Sequence, residues 1–159
     1  MTVSDEVVEF LRESNAIEDV RDEQSLADAI AAWERMIESD LISIPVVLEV
    51  HGILMRNQPI VEKYKGMFRD ISVNVSGRIC IPYRLVLTTM LNWANTIMYG
   101  ERELDVWERH ILFEKIHPFV DGNGRMGRIL HNWILVKRLK KPITVFREKD
   151  KEEYYKLFK

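Results

Sequence analysis

Cysteine is almost absent from this chain. The single one, Cys80, excludes an intrachain disulfide framework and any multi-cysteine metal site, and it fits a reducing compartment. Long hydrophobic runs are missing as well: no uninterrupted apolar stretch approaches the ~20 residues that span a bilayer. The opening MTVSDEVVEF is acidic and has neither a basic n-region nor an apolar h-region, so it does not read as a secretory signal. Nor is charge of one sign in excess. With 23 Lys and Arg against 25 Asp and Glu, the net charge of -2 gives no support for a nucleic-acid or membrane-surface role. Anion binding must then come from a local cluster. A GxxxxGK[ST] phosphate loop, an internal repeat, a low-complexity stretch and a linker are all lacking. What remains, 159 residues at 47% hydrophobic and 30% charged, is the profile of one cytoplasmic globular domain with a core of its own.

The periodicity is mostly helical. Ser4 before Asp5 and Glu6 reads as an N-cap, with Val7, Val8, Phe10 and Leu11 as an apolar stripe up to about Glu13. Ser25 with Asp28 resembles a capping box opening a helix through Ala29, Ile30, Trp33, Met36 and Ile37. Pro45 suits the first residue of a third helix closing near Asn57. From Arg69 to Pro82 the period changes to two, with Ile71, Val73 and Val75 alternating with polar residues before Ser76-Gly77. This predicts a β-hairpin with an open strand edge, a place where an extended peptide can add itself. Helices follow over 85–99, stopped by Gly100; through Leu104, Trp107, Ile111, Leu112 and Ile116, apolar on more than one side and so central; and through Ile129 to Leu139, ended before Pro142. A short terminal helix over 148–158 carries Tyr154 and Tyr155. Trp33 and Trp93 suit either a core or a homodimer surface. The fold predicted is all-α with one hairpin.

Between two of the apolar helices lies HPFVDGNGRMGR, residues 117–128. The proline after His117 disfavours helical backbone there, which puts the imidazole at a helix terminus. Gly122-Asn123-Gly124 can turn successive N–H groups toward one point, and a helix starting near Arg125 adds its positive end. Arg125 and Arg128, three apart, fall on one helix face. Together these make an anion site suited to a polyphosphate. Asp121 would repel phosphate unless a Mg²⁺ bridges the two, which is how Mg²⁺ typically binds. With His117 as general base, the loop has the parts for attack of a hydroxyl on a nucleotide phosphate.

These residues resemble the signature of the Fic family, HxFx(D/E)GNGRxxR. His117, Phe119, Asp121, Gly122, Asn123, Gly124, Arg125 and Arg128 match it without substitution, and Gly66-Met67-Phe68-Arg69 resembles the approach to the family's flap. The resemblance covers roughly residues 44–158. It implies a compact helical domain, a core over 44–159 preceded by N-terminal helices over 1–43. It also implies transfer of AMP from ATP to a hydroxyl of a target protein, the chain itself included. His117 would deprotonate that hydroxyl and Asp121 would hold Mg²⁺. Gly122, Asn123, Gly124 and Arg125 would hold phosphates, and Arg128 the terminal one. Val73, Asn74, Val75 and Ser76 would be flap, with the target docking along 69–81. Tyr154 and Tyr155 stand where the family places nucleoside contacts, although an amphipathic helix end reads the same. The family usually continues beyond the position of Lys159, so the resemblance also implies a thinner wall to the adenine pocket.

Ser14-x-x-x-Glu18, within 14–19, resembles the inhibitory motif (S/T)xxxE(G/N) of one Fic class, with Asp19 in place of Gly or Asn. By that resemblance Glu18 pairs with Arg128 and takes the place of the γ-phosphate. Asn15 capping a helix with Glu18 at its third position is the competing reading. Three other functions stay open: removal of AMP with Glu18 orienting a water, transfer of phosphate as in Doc-type domains (against which the intact Arg128 argues), and a non-catalytic nucleotide- or peptide-binding module.

Overall fold

A computed structural model describes residues 2–99 and 105–159; the helix stop at Gly100 and the start at Leu104 lie outside the described residues. The helices are α1 (Asp5–Ile17), α2 (Glu23–Glu38), α3 (Ile44–Met55), α4 (Val86–Tyr99), α5 (Asp105–Ile116), α6 (Asn123–Trp133) and α7 (Lys151–Lys156). A two-stranded antiparallel hairpin, β1 (Asn74–Val75) and β2 (Arg78–Ile79), pairs Asn74 with Ile79 and Val75 with Arg78. Ser76 and Gly77 both have positive φ, the geometry of a two-residue type I′ turn. The alternation from Ile71 to Ile81 suggests longer strands than these. Among the described residues the hairpin has no sheet to join, and one further backbone bond continues it, Cys80 N–H to the Val73 carbonyl at 3.1 Å.

One apolar cluster runs from Phe10 of α1 through Trp33, Leu54, Met90, Phe113 and Trp133 to Tyr154 of α7. α6 is at its centre, buried on nearly every side, because it is the element that α1, α2 and α5 all pack against. Trp33 and Trp93 belong to this core. α5 is less central than its sequence predicts: Val106, Phe113 and Ile116 face inward, while Trp107 and Leu112 are more than 40% exposed.

Ser4 caps α1 through Val7 N–H, as its position suggests. α2 corrects the sequence reading, since its cap is Asp22, whose carboxylate accepts from both the N–H and the hydroxyl of Ser25 at 2.8 Å. A carboxylate is the stronger acceptor for the helix N-terminus. Ser25 is thereby freed to accept from Gln58 at 2.7 Å, and the fully buried Asp28 instead takes Arg56 and Asn57 from beyond α3. α1 and the turn after it are fastened to the strap before α7: Arg147 pairs with Glu9 and Glu13, Arg21 pairs with Glu148, and Glu13 accepts the Glu148 N–H.

Burial pulls all four histidines below the ordinary imidazole range, His51 and His131 to about 4 and His110 well below its usual value. Between about pH 4 and 6.5 the unfolded chain therefore binds more protons, so stability rises with pH and is lost on acidification. Glu114, pushed up to about 7 by burial, acts in the opposite sense but is one group against four. Going from pH 7 to 5 should cost roughly 2 kcal/mol per strongly shifted histidine. The expected outcome is a Tm lower by about 10 °C in thermal denaturation at pH 5; an unchanged Tm would contradict neutral buried imidazoles.

Candidate active site

The signature loop joins α5 to α6, and each of its turns has an identifiable cause. His117 has a φ of +50°, a left-handed conformation in which its N–H still reaches the Phe113 carbonyl at 3.0 Å. A non-glycine residue there is strained by ~1–2 kcal/mol. The buried Arg69 offsets this strain by donating to the His117 carbonyl at 2.7 Å and the Ile116 carbonyl at 3.3 Å. Its other bonds go to the carbonyls of Ile71 and Ile81 at the two ends of the hairpin. One guanidinium thus fixes both the catalytic candidate and the root of the hairpin.

Gly122 turns the chain into α6 at a φ of +84°, with Met55 Sδ 2.7 Å from where a β-carbon would lie. His51 of α3 holds this corner. It accepts the Gly66 N–H at 3.0 Å, so its other ring nitrogen carries the proton and donates to the Asp121 carbonyl at 2.9 Å. The ring stacks on Phe119 at 3.7 Å. Asn123 departs from the phosphate role the resemblance implies for its side chain, because its amide closes on the Phe119 N–H and carbonyl at 2.9 and 2.8 Å. What α6 offers an anion are the N–H groups of its first turn, which have no helical acceptor.

The two arginines diverge instead of lining one face. Arg125 turns toward α3, donating to Gln58 at 3.3 Å and touching Met55, and its buried Nε finds no acceptor. Arg128, wholly buried, turns toward α1. Its Nε donates to Ser14 Oγ at 2.7 Å, Nη2 to the Ser14 carbonyl at 3.0 Å and to Glu18 at 2.8 Å, and Nη1 to the Tyr154 hydroxyl at 3.3 Å. Burial would lower the Arg128 pKa, but Tyr154, Glu18 and Glu114 together raise it, so the charge is held. Tyr154 in turn donates to His110 Nε2 at 2.7 Å, since His110 Nδ1 is committed to the Gly127 carbonyl at 3.1 Å.

The segment bearing Glu18 is the end of α1, not the start of a helix: Ser14 and Asn15 lie in its last turn, which removes the reading of Asn15 as a cap. Val20 N–H bonds the Asn15 carbonyl and Asp19 N–H the Ala16 carbonyl, each at 3.0 Å. This is a Schellman closure, with Asp19 left-handed at a φ of +58°. The Gly or Asn of the motif it resembles suits this left-handed position, and Asp is among the residues that tolerate it.

Glu18 packs against Gly124, where a β-carbon would collide with its Oε1. Both line a cleft of about 820 Å³ together with His117, Arg128, Val75 and Ser76. Tyr154 and Tyr155 form another wall, the second phenol pushed up to about 12, chiefly by burial. Val73, Asn74, Asp121, Gly122, Asn123 and Arg125 do not line it. Sequence reasoning missed Glu114 and Arg78, which do, and His51, Gln58 and His110, which support it. Glu114 was findable as the residue one helical turn before His117. The His117 ring is held below the ordinary range by burial, while a hydrogen bond to the Glu114 backbone works the other way; it is a neutral base near pH 7.

The Fic/DOC family model matches residues 41–135, more than half of the sequence. The chain belongs to the Fic/DOC family. A probable protein adenylyltransferase of Aquifex aeolicus is 48% identical over 56 residues, 33% of this chain and 16% of that protein. A Fido domain-containing protein of Dictyostelium discoideum is 36% identical over 98 residues, 57% of this chain and 67% of that one. The chain therefore spans about one sixth of the Aquifex relative. Among solved structures, a Fic domain containing signaling protein from Bacteroides thetaiotaomicron superposes with a TM-score of 0.79 at 17% identity, over 94% of this chain and 69% of that one, which fixes the shared fold. The helical Fic fold and its hairpin are thus those the signature implies.

The left-handed Asp19 gives a direct check on the α1 closure. Asp19→Gly should raise stability by about 0.5–1 kcal/mol, since the exposed pair lost with Arg21 contributes little. Thermal melting is the readout, and a lower Tm would contradict the strained closure.

Proposed function

We propose that this chain transfers AMP from ATP to a hydroxyl side chain of a target protein, and that Glu18 holds the activity off. The observation that carries the reading is the Glu18 carboxylate on Arg128, above Gly124, in the cleft that holds His117. An anion is already bound to the buried guanidinium, and it comes from the chain itself. The Aquifex relative, named as a probable protein adenylyltransferase, supports the same chemistry.

His117, neutral near pH 7, would take the proton of the target hydroxyl. The hydroxyl oxygen would bond to the α-phosphorus as the bond from that phosphorus to pyrophosphate breaks. The first-turn N–H groups of α6 would receive phosphate oxygens, and Arg128 the terminal phosphate. Among the described residues no three His, Cys, Asp or Glu gather as a metal cage. The exposed Asp121 plus phosphate oxygens is the donor set Mg²⁺ takes, and the ion would supply charge neutralisation. With Glu18 in place the terminal phosphate cannot reach Arg128, and ATP would bind in a poor geometry. The target would lie along the hairpin edge, where Ile79 is 75% exposed.

Incubation of the wild type, Glu18→Gly and His117→Ala with labelled ATP and Mg²⁺ tests this. Glu18→Gly should label protein, itself included, about ten- to a hundredfold above wild type, the range of a 1–3 kcal/mol coupling. Labelling no higher than that of His117→Ala would refute it. Loss of activity by Glu18→Gly on a pre-modified target would instead favour AMP removal.

A further inference from the structure

Arg128 carries a full charge with no solvent to share it, and its one hydrogen-bonded carboxylate is Glu18. Glu18 ends α1 with about a third of its side chain exposed, so it can leave; Arg128 is wholly enclosed and cannot. A second carboxyl stands in the same cleft. Glu114 of α5 has its Oε1 buried without any hydrogen-bond partner. That oxygen rests on Gly127, in the place a β-carbon would take, with His110 and Phe113 beside it. A buried polar atom left unpaired in a native structure requires a reason.

Charged and titratable groups face Glu114 from several elements. Arg128 of α6 attracts its charged form, and Glu18 from the end of α1 opposes it. The phenols of Tyr154 and Tyr155 stand across from it on α7. On its own helix, His110 is neutral and bonded to Gly127 and Tyr154, and His117 meets its backbone. Glu152, Lys156 and Lys159 line the same cleft.

Resting on the reading of Arg128 as the terminal-phosphate ligand, we propose that Glu114 is a positioning residue that takes the Arg128 charge whenever no other anion holds it. It is protonated while Glu18 or a phosphate sits on the guanidinium, and ionised when the guanidinium is bare. With Glu18 in place, burial first and then the neighbouring negative charge keep the carboxyl up at about 7. Removing Glu18 deletes the opposing charge and leaves Arg128 uncompensated, so the proton goes to solvent. Binding of a polyphosphate restores the negative charge, and the proton returns from solvent. The guanidinium then never stands unpaired in a site closed to water, and its orientation survives each exchange of partner.

Calorimetry of Mg-ATP binding at pH 6.5, in two buffers of different ionisation enthalpy, reads this proton. Glu18→Gly should take up about half a proton more than Glu18→Gly/Glu114→Gln. Its affinity should fall severalfold from pH 6 to 8, more steeply than that of the double variant. Equal uptake and parallel pH profiles would overturn the proposal. A second readout needs no change at 114: ¹³C-carboxyl NMR titration of Glu114 should give a midpoint lower by about one pH unit or more in Glu18→Gly than in wild type. An unchanged or higher midpoint would overturn it. Neither measurement involves AMP transfer. Proton linkage without transfer would refute the proposed function alone, and transfer without the linkage would refute the role of Glu114 alone.

Discussion

A guanidinium with no access to water dictates much of this structure. Arg128 is fully buried at the centre of the fold, and a charge in that position must be matched by neighbours. The match is assembled from distant parts of the chain: the hydroxyl and carbonyl of Ser14, the carboxylate of Glu18 and the phenol of Tyr154. Breaking a fully buried pair costs roughly 3–5 kcal/mol, and Glu18, about a third exposed, lies below that range. The balance suits an exchangeable partner. The site needs an anion and the chain supplies one; under the proposed function a stronger anion would displace it.

Around that charge the loop is fixed by groups that do no chemistry. Arg69 gathers carbonyls from the end of α5 and both ends of the hairpin, His51 clamps Asp121 and Gly66, and Asn123 closes on Phe119. Each satisfies backbone groups that a tight turn would otherwise leave unpaired. The left-handed His117 is held at its N–H by the Phe113 carbonyl and at its carbonyl by Arg69, the preorganisation that the proposed general base would need.

Local features of this design are legible in the sequence because their causes are local. The Ser4 cap, the Ser76-Gly77 turn, the helix end before Pro118 and the glycine entry to α6 each follow from a few adjacent residues. The cap of α2 lies three positions before Ser25: both residues suit the role by type, but the Asp22 carboxylate takes the Ser25 N–H while the Ser25 hydroxyl oxygen accepts from Gln58. Arg125 and Arg128 share a helix face by spacing, yet their partners lie on different neighbours, and spacing carries no information about that. Glu18 meets Arg128 across 110 positions, a contact reached only through resemblance to a known motif. The structure adds why the residue after it is special, a left-handed C-terminal closure that periodicity does not reveal. Glu114 went unnoticed because a lone glutamate in a helix looks like surface until its oxygen is found buried.

In the proposed function Glu18 and a terminal phosphate compete for one guanidinium. The ratio of ATP to ADP affinity in the wild type and in Glu18→Gly measures that competition without any transfer reaction. Glu18→Gly should increase the preference for ATP over ADP by about tenfold or more, equivalent to roughly 1.4 kcal/mol of contact with the γ-phosphate. The same ratio in both proteins would mean that the terminal phosphate does not use Arg128, and would contradict the competition.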